Sequence, residues 1–271
     1  MNSTLRQLTV AGMGVSVAET GQGTPLVYLH GYADIHAASN GWLPFQQQLS
    51  CSHRLLAPAF PACAESAEDE EIESIDDVAY RWIEVIDALG LARFDLIGNC
   101  FGGWVAAELA VRHPERVNRL ALIGASGLFL PGEPIADLFM EVQARNGRDF
   151  SGLRHLMFAH ADDAAALALL PDGRVDLARE ISRYKVMRFC SRVGFSPPYF
   201  YNRKLINRLS RYRGPALVIS GAEDHMVPIA HARAYANGLP GARLEILSGC
   251  GHSPGIERCE QTVALLDAFF Q

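Results

Sequence analysis

A glycine-flanked cysteine between an apolar strand and a helix is the feature that most constrains this chain. The stretch from Asp95 to Trp104 reads DLIGNCFGGW, and Cys100 stands between Gly98 and Gly102. Glycines at this spacing are typical of a sharp strand-to-helix turn, whose two arms bring the backbone close together. Such a turn presents one side chain at its tip. We interpret Cys100 as a nucleophile; the alternative is a buried free cysteine beside an ordinary turn.

Length and composition limit the class of protein. The 271 residues are enough for one sizeable core. Hydrophobic residues make up 49% and charged residues 20% of the chain, as in an ordinary soluble globular protein. The formal net charge is −6. Because no Lys/Arg-rich run is present, the positive surface that nucleic acid requires is missing, and we expect no nucleic-acid partner.

Targeting signals and metal-ligand spacings are also missing from the sequence. The first ten residues do not have the basic region and apolar run of a secretory signal, and no apolar stretch is long enough for a bilayer. The six cysteines show no C-x-x-C or other metal-ligand spacing. We therefore expect a cytoplasmic protein with reduced thiols, no membrane partner, no metal and no cofactor. Sequence alone leaves a pairing of Cys250 with Cys259 open.

Strand and helix patterns alternate along most of the chain. Two short strands form a predicted edge hairpin, and continuous apolar runs of the kind buried on both faces of a parallel sheet follow. The predicted strands are 5–10, 14–19, 25–29, 54–58, 117–123, 215–220 and 242–247, in addition to the strand before Cys100. The predicted helices are 42–49, 76–89, 105–111, 230–237 and 259–270. This alternation predicts an α/β fold with a mainly parallel sheet.

The rhythm changes between residues 129 and 213. Helical patterns follow one another there around several prolines, with no strand-like run. We predict a core formed by residues 1–128 and 214–271, with a helical cap inserted at residues 129–213.

An acidic cluster lies between residues 62 and 73. A solvated loop is the favoured interpretation over a cation site, since the run matches no recognised cation-binding loop. Ser74, followed three residues later by Asp77, resembles a helix-start box.

A cysteine nucleophile needs a base, and the base needs an orienting carboxylate. Asp224 follows the predicted strand that ends at Ser220, and His252 follows the next strand. With Cys100, all three stand at carboxyl ends of strands, where open α/β sheets collect their ligands. Glu223 is a rival for the acid and His225 for the base. An Asp224 that only caps the next helix, or a His252 that is an ordinary loop histidine, would be structural.

Four motifs in order carry a family resemblance: His30-Gly31, the turn at Cys100, Gly221 to Pro228, and Gly249 to Pro254. Over essentially its whole length the chain resembles the α/β-hydrolase fold superfamily with a helical cap. The resemblance implies a mostly parallel eight-stranded sheet flanked by helices. The segments 112–117 and 201–211 also resemble capped esterases and carbon–carbon bond hydrolases of the meta-cleavage type.

The resemblance implies a role for each site residue. Cys100 would be the nucleophile, His252 the general base and then acid, and Asp224 the carboxylate that holds the imidazole. The backbone N–H groups of Tyr32 and Phe101 would form the oxyanion hole.

The cap would close over Cys100 and select an apolar or aromatic acyl compound as the small-molecule substrate. Three arginines, at positions 188, 192 and 203, would either steer a substrate carboxylate or lie on the surface. The oligomeric state stays open. The candidate pocket residues are His30, Phe129, Phe139, Met187, Phe195 and Tyr199.

The cysteine departs from the serine that normally occupies this position. It is either a natural nucleophile, a substitution engineered into a serine hydrolase, or a sign of a lyase, cyclase or ligand-binding role. A natural Cys-His-Asp triad predicts a covalent thioester formed from an ester, thioester or activated ketone. Because a thioester is open to a second nucleophile, acyl transfer is as consistent with the residues as hydrolysis.

Overall fold

The structure is a computed structural model that describes residues 3–32, 34, 41–138, 141, 149–173, 177–194 and 200–271. Eight strands form one sheet. They are β1 Thr4–Val10, β2 Met13–Thr20, β3 Pro25–Leu29, β4 Arg54–Pro58, β5 Phe94–Asn99, β6 Val117–Ile123, β7 Ala216–Gly221 and β8 Arg243–Leu247. The helices are α1 Pro44–Leu49, α2 Ile75–Ala88, α3 Phe101–Arg112, α4 Ser151–Met157, α5 Ala164–Leu169, α6 Leu177–Gly194, α7 Ile229–Gly238, α8 Pro254–Glu257 and α9 Cys259–Phe270, with a 3-10 helix at Ile206–Arg211.

The strand order is β1-β2-β4-β3-β5-β6-β7-β8. β2 pairs antiparallel with β1 and with β4, and the pairs from β4 to β8 are parallel. The predicted α/β class, with a mostly parallel eight-stranded sheet, is confirmed. Because β3 and β5 are neighbours, the loop after β3 and the turn after β5 meet at the same edge of the sheet.

The central strands are buried on both faces, which explains their continuous apolar runs. In β3, Val27 and Leu29 belong to one apolar cluster and Leu26 and Tyr28 to the other. All four side chains are at most 1% exposed. Helices therefore cover both faces of the sheet, as a parallel sheet requires.

Local signals account for the ends of two helices. Helix α2 begins after Ser74, whose hydroxyl accepts a hydrogen bond from the Asp77 N–H, while the Asp77 carboxylate accepts one from the Ser74 N–H. Both bonds satisfy donors that the first helical turn leaves free. Helix α1 begins at Pro44, two residues later than predicted, because proline fits the first helical position but not the interior.

Residues 124–215 leave the sheet between β6 and β7, and we call this stretch the insertion. Its described part contains α4, α5, α6 and the 3-10 helix, and its extended pairing there is one isolated bridge between Gly127 and Tyr201. The prediction of successive helices agrees with this part of the structure. The division into a core and a cap at residues 129–213 stays a prediction.

The acidic segment before α2 is a loop, as predicted, but it is not simply solvated. Glu68 forms ion pairs of 2.6 Å with Arg188 and with Arg192, both on α6. Arg192 also donates to the carbonyl of Asp69, at 2.7 Å. Arg188 is exposed and Arg192 is partly buried, and both side chains hold α6 against this loop; a role in steering a substrate stays a prediction.

In the parts of the chain that the structure describes, no helix has the length and apolarity needed to cross a bilayer. The same residues contain no group of three or more His, Cys, Asp or Glu side chains placed to hold a metal ion. All six cysteines are free, Cys250 and Cys259 included.

Candidate active site

The turn between β5 and α3 places Cys100 at the edge of the sheet. Its φ angle is +53°, in a region that residues with a side chain seldom adopt. A Cβ atom on Gly102 would lie 2.2 Å from the carbonyl oxygen of Leu29, and one on Gly98 would lie 2.4 Å from that of Gly102. Only glycine fits at either position, which is the physical reason for the pattern around Cys100.

Hydrogen bonds hold the backbone of Cys100 on both sides. Its N–H donates to the carbonyl of Ile123 at the end of β6, at 2.9 Å. Its carbonyl accepts from the N–H groups of Gly103 at 3.0 Å and of Ser126 at 3.2 Å. The strained residue is thus fixed by the strand beside it and by its own helix.

Asp224 and His252 form a buried pair on neighbouring loops after β7 and β8. The Nδ1–H of His252 donates to Oδ2 of Asp224, at 2.8 Å. The other oxygen, Oδ1, accepts from the backbone N–H groups of Met226 and Val227, at 2.9 and 2.8 Å. One oxygen of Asp224 therefore shapes the turn while the other orients the imidazole.

The surroundings of His252 favour its protonated form. Burial lowers the pKa of His252, but the charge of Asp224 and the nearby sulfur of Cys100 raise it more, so that the pKa lies well above its ordinary value. The second ring nitrogen, Nε2, is buried and has no hydrogen-bond partner among the described residues.

The rival acid and base lie elsewhere. The carboxylate of Glu223 accepts a hydrogen bond from the Cys250 N–H, at 2.9 Å, and so ties the two loops together. His225 is exposed, and its ring stacks on His155 of α4 with centroids 4.7 Å apart. Neither side chain takes part in the Asp224–His252 pair.

Glu257 joins the histidine loop to the insertion. One carboxylate oxygen accepts from the Ala159 N–H just after α4, at 2.7 Å, and the other accepts from the Gly251 N–H, at 2.8 Å. Burial raises the pKa of Glu257, while these backbone donors lower it less. Gly251 also packs closely, since a Cβ there would lie 2.6 Å from the Ala159 nitrogen.

Tyr32 and Phe101 both lie near Cys100, and the oxyanion hole at their N–H groups stays a prediction. Phe101 is the first residue of α3, and Tyr32 follows Gly31 in the loop after β3. A Cβ on Gly31 would lie 2.8 Å from the Cβ of Cys100. The loop after β3 thus passes directly against Cys100.

Asp34 was missed by the sequence reasoning. Its carboxylate accepts from the Gly31 N–H at 2.6 Å, from the Asn99 side chain at 3.1 Å and from the Tyr28 hydroxyl. In the sequence Asp34 is an aspartate four residues after His30, and no sequence pattern distinguishes it from an ordinary loop residue.

A narrow cleft of about 20 Å³ joins these groups, which is room for about one water molecule. Its walls are mostly apolar. They are formed by Tyr32, Asp34, Leu43, Phe45, Asn99, Cys100, Ile123, Met157, His252, Ser253, Pro254, Gly255 and Ile256.

The three predicted pocket residues that the structure describes do not line this cleft. His30 lies beneath it, where Nε2 accepts from the Phe60 N–H at 3.1 Å and burial lowers the pKa of the ring. Phe129 lines a separate groove of about 660 Å³ with Tyr201, and the Arg203 guanidinium lies 4.4 Å above its ring. Met187 packs against the core cluster. Three further residues, Phe139, Phe195 and Tyr199, lie outside the described residues.

The chain is similar to known proteins over almost its whole length. The family of the alpha/beta hydrolase fold matches residues 24–258. The chain is 28% identical to a 2-hydroxymuconate semialdehyde hydrolase from Pseudomonas sp. (strain CF600), over 97% of this chain and 93% of that protein. It is 29% identical to a pimeloyl-[acyl-carrier protein] methyl ester esterase from Nitrosomonas europaea, over 94% of this chain and 98% of that one. The solved structure of a meta-cleavage product hydrolase from Pseudomonas fluorescens IP01 has a TM-score of 0.77 at 21% identity, covering 98% and 97% of the two chains.

Proposed function

Because this chain belongs to the α/β-hydrolase fold family, we propose that it is a hydrolase of small molecules that uses Cys100 as a covalent nucleophile. His252 acts as general base and then acid, and Asp224 orients its ring. The bond cleaved is that of an ester, a thioester or an activated ketone. The relatives named above, a 2-hydroxymuconate semialdehyde hydrolase and a methyl ester esterase, support this range.

One observation carries the proposal. The buried hydrogen bond from His252 Nδ1 to Asp224 lies beside a cysteine held at positive φ, and Nε2 has no other partner among the described residues. An imidazole oriented in this way can accept the thiol proton at Nε2. The carboxylate of Asp224 then stabilises the resulting imidazolium.

The reaction has two halves. In the first, Cys100 Sγ bonds to the substrate carbonyl carbon, the thiol proton passes to His252 Nε2 and then to the leaving group, and the bond to that group breaks. In the second, water attacks the thioester carbon and gives one proton to His252 Nε2. The C–S bond breaks, the acid leaves, and the proton returns to sulfur.

The N–H groups of Tyr32 and Phe101 stabilise the oxyanion in both halves. The apolar walls of the cleft favour an apolar or aromatic acyl group. Residues 129–213 act as the cap over it. Because the cleft is narrow, the proposal requires its walls to move for substrate to enter.

The test is intact-protein mass spectrometry after mixing with p-nitrophenyl acetate. The expected result is one acetyl group, mapped to Cys100, that is absent from Cys100→Ala and accumulates more slowly in His252→Ala. Cys51→Ser, which removes an exposed thiol, is the matched control and should acetylate normally. An unmodified Cys100 together with full turnover in Cys100→Ala would overturn the proposal.

Variants also separate the remaining alternatives. A lyase or cyclase predicts activity that survives in Cys100→Ala and disappears in His252→Ala. A ligand-binding protein predicts tight binding that survives both changes. A serine hydrolase carrying an engineered cysteine predicts faster turnover in Cys100→Ser than in the chain as it stands.

A further inference from the structure

Asp34 is a buried carboxylate in the cleft to which the proposed reaction gives no role. It is 4% exposed, and its described hydrogen bonds come from three donors. The two donors outside β3 are the Gly31 backbone and the Asn99 side chain. Burying a carboxylate costs stability unless hydrogen bonds compensate, so three donors on one such group constitute a built arrangement.

Each of these two donor residues directly precedes a residue of the proposed reaction. Gly31 immediately precedes Tyr32, whose N–H is one proposed oxyanion donor. Asn99 immediately precedes Cys100, the proposed nucleophile. Asp34 therefore connects the residue before the oxyanion donor to the residue before the attacking sulfur.

The packing around Gly31 shows how direct this connection is. A Cβ on Gly31 would lie 2.8 Å from the Cβ of Cys100 and 3.2 Å from Oδ1 of Asp34. Cys100 and the Asp34 carboxylate therefore both lie against Gly31. We expect a change in the Asp34 side chain to alter the separation between this loop and Cys100.

We infer that Asp34 is a positioning residue that sets the Tyr32 N–H at hydrogen-bond distance from the oxyanion formed during attack by Cys100. This inference rests on the proposed function. A carboxylate suits the role because it only accepts hydrogen bonds, and all three neighbours donate. An asparagine would still accept from Gly31, but its amide N–H₂ would face the Asn99 amide, donor against donor.

Two reactions of the same thiol separate positioning from a general structural role. Acetylation by p-nitrophenyl acetate forms the Sγ–C bond, moves the thiol proton to His252 and releases p-nitrophenolate through a tetrahedral oxyanion. Alkylation by iodoacetamide displaces iodide from carbon and passes through no oxyanion. Only the first reaction needs the Tyr32 N–H.

The experiment compares both rates at Cys100 by mass spectrometry in the wild type and in Asp34→Asn. Loss of one oxyanion donor typically slows acyl transfer by about 10²–10³-fold, and we expect a misplaced donor to slow acetylation by about tenfold or more. Alkylation should stay within about twofold of the wild-type rate. Tyr28→Phe, which removes one donor from Asp34 and leaves both loops intact, should change acetylation in the same direction by a smaller factor.

Asp95→Asn is the matched control. Like Asp34, Asp95 is a buried carboxylate, but it lies on β5 at the end of the strand away from Cys100. Its ratio of acetylation to alkylation should equal that of the wild type. An unchanged ratio in both Asp34→Asn and Tyr28→Phe, or a parallel fall of both rates, would overturn the inference. Failure of the proposed function is distinct, since the wild type itself would then alkylate but not acetylate.

Discussion

Two regions of this molecule meet at Cys100, and they are held in different ways. The strand-end region, which comprises the turn at Cys100 and the loops carrying Asp224 and His252, is fixed by backbone atoms packed too closely for an added methyl group. The described part of the insertion is also attached by side chains, among them Glu68 to two arginines of α6 and Glu257 to the Ala159 N–H. The first region is therefore rigid by construction, whereas single side-chain changes can loosen the second.

The largest effect should come from the acid in the strand-end region. Asp224→Asn keeps the size of the side chain but favours the wrong imidazole tautomer, and we expect kcat to fall about 10³-fold, or about 4 kcal/mol. Steady-state hydrolysis of p-nitrophenyl acetate measures it. Glu223→Gln is the matched control, and a loss of similar size there would show that the rigid region does not distinguish the two acids.

Next in size is the packing of the turn. Gly102→Ala places a Cβ 2.2 Å from the Leu29 carbonyl oxygen, a backbone atom that cannot rotate away. We expect a loss of roughly 3 kcal/mol in the free energy of unfolding, measured by urea denaturation. Gly41→Ala, where a Cβ would meet no atom within 4 Å, should be neutral. Equal stability of the two variants would contradict the view of a rigid turn.

A smaller effect on stability, with a separate effect on substrate, is expected for the insertion. Glu68→Gln breaks the ion pairs to α6, and because these side chains are partly exposed the unfolding free energy should fall by less than about 1 kcal/mol. Phe189 on α6 packs on Phe101, with ring centroids 5.9 Å apart, so a looser helix should disturb the cleft.

The measured result for Glu68→Gln should be a KM for p-nitrophenyl butyrate that rises more than kcat falls. Glu70→Gln, which removes an exposed charge in the same loop, is the control. A fall in kcat of the size expected for Asp224→Asn would remove the distinction between the two regions.

The smallest effect concerns a charge outside both regions, that of Asp95 at the end of β5 away from Cys100. Burial raises the pKa of Asp95, and Arg119, whose guanidinium lies 3.7 Å from the Asp95 carboxylate, opposes this only in part. Because the folded pKa lies above the ordinary value of 3.8, protonation of Asp95 favours folding.

Asp95→Asn should therefore be more stable than the wild type near neutral pH, by less than about 1 kcal/mol. This advantage should shrink as the pH falls through the raised pKa towards 3.8. Urea denaturation at a series of pH values measures it. An advantage that grows with acidity would contradict the direction of the pKa shift.

Most of the sheet could be predicted from sequence because its strands carry a one-dimensional signal. Four elements, β3, β4, β6 and α9, have the predicted limits. The other predicted strands and helices agree in position apart from shifts at their ends, and the largest shift is at α3, which begins at Phe101 rather than at Val105. Asp224 and His252 follow strands directly, so the fold class alone predicts that they lie near each other. The order of the strands along the chain and the α/β-hydrolase resemblance account for the agreement between the predicted and observed positions.

Other parts of the site depend on contacts between segments far apart in the chain. Asp34 and Asn99 are 65 residues apart, and Glu68 and Arg192 are 124 apart. No local pattern marks such pairs, so Asp34 looked like a loop residue and Glu68 like a solvated charge. The same limit applies to Phe129, which the sequence suggests as a pocket residue. In the structure it lines a groove separate from the cleft.

The double hydrogen bond of Glu257 has a consequence for protein engineering. One carboxylate holds the peptide before His252 and the first peptide after α4, so the two segments share a single acceptor. An insertion taken from a relative would have to present a backbone N–H at the place of Ala159. A chimera that omits it would remove one donor to the Glu257 carboxylate and would loosen the link between the histidine loop and the insertion, so the exchangeable unit includes Glu257 as well as the inserted helices.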